Sequence, residues 1–197
     1  MRLNQFSKMF LSIMSFLFAG IVIPNDSKAE GVGIIDMNML ILPGTSDFLE
    51  NSISEATENN LDLLVIKLNT QGGMLISSQK MISSMLNSKV PIVVYVSPSG
   101  GTATSAGVFI TIAGHIAAMA PGTTIGAAHP VSGDGKDITG DMREKVQNIT
   151  VAMVKTVAEQ RGRNLEWVEK AVKESSSLTE KQALEKKVID IIATDIN

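Results

Sequence analysis

The chain has 197 residues, 44% of them hydrophobic and 19% charged, with a formal net charge of -3. That balance excludes a disordered or collagen-like chain and offers no basic surface to neutralise phosphates, so nucleic acid is not an expected partner. Cysteine is absent, which excludes disulfides, thiolate metal clusters and a cysteine nucleophile.

Arg2 and Lys8 precede an apolar run at 9–23 that ends at Pro24, Asn25 and Asp26; Ser27 and Ala29 then put small residues ahead of Glu30. This is the layout of a secretory signal, so residues 1–29 are expected to be a cleaved leader, with an uncleaved anchor as the alternative, and 30–197 the exported domain. A run of this length falls short of the ~20 residues needed to span a bilayer. The expected location is periplasmic or otherwise extracytoplasmic.

After the leader, 31–37 is β-compatible, Pro43 and Gly44 mark a turn, and 46–57 spaces Phe48, Leu49, Ile53 and Ala56 as a helix does. Residues 61–68 form a nearly continuous apolar run, as in a parallel strand covered on both faces. Gly72 and Gly73 then lead into a helix over 74–86. The pattern repeats with a strand at 90–96, a small-residue loop at 97–104 and an apolar helix at 105–113. Such alternation predicts an α/β fold with a mainly parallel sheet and reactive groups beyond the carboxyl ends of its strands.

Further on, 115–119 is a short predicted strand and 132–141 a polar, glycine-rich, mobile loop. Helices are predicted over 143–160 and 164–173, with Asn164 as N-cap of the second. Thr179, with Gln182 three residues on, has the form of a capping box before a last strand at 188–192.

The densest chemical signal is Gly100-Gly101-Thr102-Ala103-Thr104-Ser105-Ala106-Gly107, at a strand-to-helix turn. A serine there exposes its hydroxyl, and the Ala106 N–H and the positive helix end face the place where an oxyanion would develop. The same residues also fit a plain helix N-cap, so Ser105 has two readings. Gly72-Gly73 is a second strand-to-helix turn. Its amides become a second oxyanion donor if the two strands are neighbours, and otherwise it is an ordinary glycine turn. Neither HExxH spacing nor a phosphate-binding GxxxxGKS/T loop occurs, so no metal or cofactor is implied.

Four stretches, 64–74 (LVIKLNTQGGM), 90–110 (VPIVVYVSPSGGTATSAGVFI), 115–131 (HIAAMAPGTTIGAAHPV) and 177–190 (SLTEKQALEKKVID), strongly resemble the NfeD-type membrane-associated serine peptidases, relatives of the Clp protease subunit. The resemblance runs over about 32–196. It implies a Clp protease/crotonase-like spiral of βαβ units and a Ser-Lys dyad acting on apolar peptide segments through an acyl-enzyme. The serine falls on Ser105. The lysine, placed by its distance ahead of Gly162-Arg163-Asn164, falls on Lys145, and the oxyanion amides fall on Gly73 and Ala106. A stomatin-like or other membrane partner is suggested, and a homodimer is left open.

A lysine serves as general base near neutral pH only if desolvation or nearby positive charge brings its pKa from about 10.4 toward roughly 7 to 8. His129, 24 residues after Ser105, is the alternative base, near where Clp subunits carry the histidine of a Ser-His-Asp triad; histidine needs far less tuning. Its orienting carboxylate cannot be assigned from sequence. His115, at a strand start, reads as structural.

Two positions depart from the family pattern. Gln71 replaces the proline that usually precedes the paired glycines, which removes a restraint on the turn carrying Gly73. Lys187 replaces a glycine at the end of the last helix and would either need a left-handed conformation costing roughly 1 kcal/mol or end the helix differently. Gln71 also motivates a second function, a catalytically inactive peptide-binding or scaffold domain of the same fold. An acyl-CoA enzyme of crotonase type is a weaker third reading, because Ser105 has no role in it.

Overall fold

A computed structural model describes residues 31–133 and 135–196; the expected leader, 1–29, lies outside them. Five strands form one parallel sheet in the order β1-β2-β3-β5-β8: β1 (Val32–Asn38), β2 (Leu63–Asn69), β3 (Ile92–Val96), β5 (Ile116–Met119) and β8 (Ile191–Ile192). A smaller sheet joins β4 (Thr102–Thr104), β6 (Thr124–Gly126) and β7 (Ser177–Thr179), with β4 and β6 parallel and β7 antiparallel to β6. The α/β fold with a mainly parallel sheet that the alternating pattern predicts is the fold observed, and it agrees with the spiral of βαβ units that the resemblance implies.

The helices are α1 (Pro43–Glu58), α2 (Leu75–Leu86), α3 (Ala106–Ala113), α4 (Gly140–Gln160), α5 (Leu165–Lys173) and α6 (Glu180–Glu185). All eight residues of α3 are buried, because it packs against α2, α4 and strands of both sheets. A helix apolar on every side is stable only in such a setting. Leu49, Met81 and Met85 from α1 and α2 meet Leu64, Ile66, Leu68, Ile92 and Val94 in the main core, each large side chain contributing roughly 1.5–3 kcal/mol by burial. No helix among the described residues is long and apolar enough to cross a membrane.

Several predicted boundaries move for local reasons. Pro43 and Gly44 open α1 instead of preceding it, with proline near the helix start, where a missing N–H costs nothing. α4 begins at Gly140, so Lys145 lies in its second turn. The final strand shortens to two residues. Its approach is held by Arg163, buried and paired with Asp190, whose other carboxylate oxygen accepts from the Ala117 N–H at 2.8 Å. The expected caps form: Asn164 accepts from the Trp167 N–H at 2.8 Å, and Thr179 and Gln182 make the reciprocal capping box. Lys187 is left-handed, at φ 57°.

Candidate active site

The two glycine- and serine-bearing turns meet because β2 reaches across to the small sheet. Thr70, next after β2, donates its N–H to Thr102 O at 2.8 Å and accepts from the Thr104 N–H at 3.0 Å. Ser105 follows β4 directly, with φ 53° and ψ -115°, a conformation a non-glycine residue adopts only when its surroundings enforce it. Those surroundings are explicit: its N–H donates to Gly126 O and its carbonyl accepts from the Val108 N–H, both at 3.0 Å. The hydroxyl makes no capping bond. Ser105 occupies the N-cap position without doing an N-cap's work, which removes the plain capping reading.

Gly72 packs directly on the serine. At φ 113°, a Cβ there would lie 2.6 Å from Ser105 Cβ and 3.1 Å from its Oγ. Gly73 pairs with Ile41 in a parallel bridge, and both bonds of that bridge belong to Ile41: its N–H donates to Gly72 O at 2.9 Å, and its carbonyl accepts from the Met74 N–H at 2.8 Å. In such a bridge the opposite residue turns its own N–H away from the partner chain, so the Gly73 amide is free to face elsewhere. Ala106 is the first residue of α3, where an amide has no preceding turn to bond. Among the described residues neither the Gly73 nor the Ala106 N–H meets an internal acceptor.

Gly73, Ser105 and Ala106 line one cavity of about 100 Å³, together with Leu75, Phe109 and Val146. Ser105 also lines a neighbouring cleft of about 780 Å³, with Gln71, Met74, Ile76 and His129. Two further wall residues of the small cavity carry hydroxyls already used internally: Ser78 Oγ donates to Leu75 O and Thr150 Oγ1 to Val146 O, both at 2.8 Å. Neither of these two hydroxyl protons is therefore free for a ligand.

The two candidate bases stand differently. His129 lines the cleft, and its Nδ1 lies 3.1 Å from Val172 O. If that nitrogen carries the proton, Nε2 is the basic one. Its orienting group is thus a backbone carbonyl and not a carboxylate. Lys145 is exposed on α4, one residue from Val146, whose side chain lines the cavity. His115 Nδ1 accepts from the Ile92 N–H at 3.1 Å, in keeping with a structural role. Burial, and then the positive charge of Arg161, hold its imidazole below the usual histidine range.

The loop expected at 132–141 contains a hydrogen-bonded turn: Val131 bridges Asp137, and the Ser132 N–H donates to Lys136 O at 2.8 Å. Val131, Ser132 and Asp137 form part of the cleft wall.

The family model for the NfeD1b N-terminal domain matches residues 31–196. The chain belongs to the NfeD1b N-terminal domain family. It is 36% identical over 156 residues to the membrane-bound protease PH1510 of Pyrococcus horikoshii, covering 78% of this chain and 35% of that protein. The chain thus spans about a third of the length of the curated relatives it matches. Two solved structures of 1510-N, a membrane-bound stomatin-specific protease, superpose closely. A serine-to-alanine mutant gives a TM-score of 0.77 at 34% identity, covering 85% of this chain and 80% of that one. A lysine-to-alanine mutant in complex with a substrate peptide gives 0.76 at 33%, covering 85% and 76%. The NfeD1b-type fold is thereby the Clp-protease-like one.

Of the residues named from sequence, Gly73 and Ser105 line both cavities, Ala106 the smaller one and His129 the cleft, whereas Lys145 lines neither; Phe109, Val146 and Thr70 were passed over. Phe109 and Val146 carry an ordinary apolar pattern that is the same for core and cavity wall. Thr70 belongs to a bridge between sheets that short, glycine-flanked strands do not announce.

Proposed function

We propose that this chain is a serine endopeptidase that cuts apolar segments of a membrane-associated, stomatin-like protein on the outer side of the cytoplasmic membrane, with 30–197 as the peptidase domain behind the leader 1–29. One observation carries the reading. Ser105 is held in a strained backbone conformation beside a cavity that two unengaged amides, those of Gly73 and Ala106, also line.

Chemistry follows from that geometry. Ser105 Oγ attacks the scissile carbonyl and its proton passes to the base. The Gly73 and Ala106 N–H groups, already in place, donate hydrogen bonds to the developing oxyanion, the arrangement worth most in a site that excludes water. The base returns the proton to the leaving amine, and water resolves the acyl-serine.

Lys145 is the base in this proposal. In the free protein it is exposed, so substrate must desolvate it. Met142 and Ile149, 58% and 51% exposed, stand three residues before and four after it, on the same helix face. An apolar peptide seated on those two side chains would strip water from the ammonium between them, which couples activation to the substrate's apolar character. The second reading makes His129 the base, supported by its place in the Ser105 cleft and by the Val172 carbonyl at its Nδ1.

A fluorophosphonate probe tests the hydrolase reading without a natural substrate. Covalent labelling mapped to Ser105 is expected; an unlabelled, folded protein points instead to a peptide-binding domain.

A further inference from the structure

Thr70 is 3% exposed and touches both turns of the site with different atoms. Its methyl rests against α3: a Cβ added at Gly107 would lie 2.8 Å from Thr70 Cγ2. Its backbone is clamped to β4 on both sides, by the bonds to Thr102 and Thr104. Its hydroxyl turns the other way, accepting from the Gly72 N–H at 3.1 Å and lying 3.3 Å from Gly72 O, to which it donates. A hydroxyl that bonds the backbone two residues on closes a compact turn and fixes the residue between. That residue is Gln71, exposed, with no ring to restrict it. The chain leaving this turn is Gly72-Gly73, two residues with the widest backbone freedom.

We infer that Thr70 is a positioning residue for the oxyanion site. Through its hydroxyl it sets the Gly72-Gly73 peptide relative to Ser105, so that the Gly73 N–H is aimed before substrate arrives. This rests on the serine peptidase reading. Because an oxyanion donor acts on the transition state, a misaimed donor lowers kcat and leaves substrate affinity nearly intact. The same restraint could come from a proline ring at 71. The Gln71 N–H donates to no internal acceptor among the described residues, and Thr70, in an extended bridge, has the conformation favoured before proline.

The test uses the full chain with Thr70→Val, which keeps shape and removes the hydroxyl, Thr70→Ser, which keeps the hydroxyl, and Thr70→Val combined with Gln71→Pro. The readouts are kcat and KM on an apolar peptide and the rate of fluorophosphonate labelling. Thr70→Val is expected to lose about 10- to 100-fold in kcat and in labelling rate with KM within about twofold. Thr70→Ser should stay within about threefold of wild type, and Gln71→Pro should recover part of the loss. Should Thr70→Val fail to fold, Thr70→Ala takes its place with the same expected order. A hydroxyl-free variant with wild-type kcat overturns the inference alone. So does a Thr70→Ser variant as poor as Thr70→Val, which would make the role one of packing. A wild type that neither cleaves nor labels overturns the peptidase reading, and this inference with it.

Discussion

Gly72 and Ser105 are packed so closely that the glycine has no room for a side chain: its added Cβ would stand 2.6 Å from Ser105 Cβ. The contact joins the turn after β2 to the turn that carries Ser105. Gly72→Ala should therefore displace Ser105 and strain a residue at φ 113° at once. We expect a loss of at least about 100-fold in kcat with a lowered Tm, measured by peptide hydrolysis and thermal unfolding of the same preparation.

Ser105 itself stores strain. At φ 53° and ψ -115°, serine and alanine are equally unsuited, whereas glycine is at ease. Ser105→Gly should raise stability by roughly 1 kcal/mol, within the range such backbone outliers cost, while Ser105→Ala changes it little. Both should abolish labelling. Denaturant unfolding of the three proteins checks the order; equal stability of wild type and Ser105→Gly would show the conformation to be unstrained.

The small cavity beside Ser105 limits what side chain can enter. At about 100 Å³ it is smaller than the ~150 Å³ cavity known to hold benzene. Peptides with Ala, Val or Leu before the scissile bond should be cut at least about tenfold faster than those with Phe or Trp, since overfilling a packed site costs roughly 1–3 kcal/mol. Phe109→Leu, which thins one wall, should narrow that ratio in kcat/KM comparisons.

Much of this arrangement was legible in the residues. Continuous apolar runs at 61–68 and 90–96 mark strands buried on both faces, and they are β2 and β3 of the parallel sheet. Ser105 could be placed at its turn because the strand-to-helix alternation puts the small-residue run there and the resemblance puts the serine on it, whereas the small residues alone fit a plain N-cap equally well. The small sheet was not legible: β4, β6 and β7 have three residues each, too few for any periodicity to show. Yet that sheet sets the Ser105 backbone, through Gly126, and receives Thr70. Nor could the sequence distinguish wall residues of the cavity from core, because Phe109 and Val146 satisfy both descriptions.

His115 supplies a pH dependence of stability independent of catalysis. Its folded pKa is lowered by burial first and Arg161 second, so as pH falls through about 6.5, the ordinary histidine value, the unfolded chain takes the proton before the folded one. The contribution of neutral His115 is fully present above that pH and is lost progressively down to the folded pKa. Tm should drop between pH 7.5 and 5.5, and His115→Asn should flatten this part of the profile. An unchanged slope in the variant would assign the effect elsewhere.

The most direct measurement of the central claim is hydrolysis of an apolar peptide library by the purified protein and by its Ser105→Ala, Lys145→Ala and His129→Ala variants, each confirmed folded. The account predicts cleavage by wild type, loss of at least about 1,000-fold with Ser105→Ala and with Lys145→Ala, and near wild-type rates with His129→Ala. Loss with His129→Ala and retention with Lys145→Ala would contradict the dyad and make the enzyme a serine-histidine type; cleavage surviving in pure Ser105→Ala would contradict the account altogether.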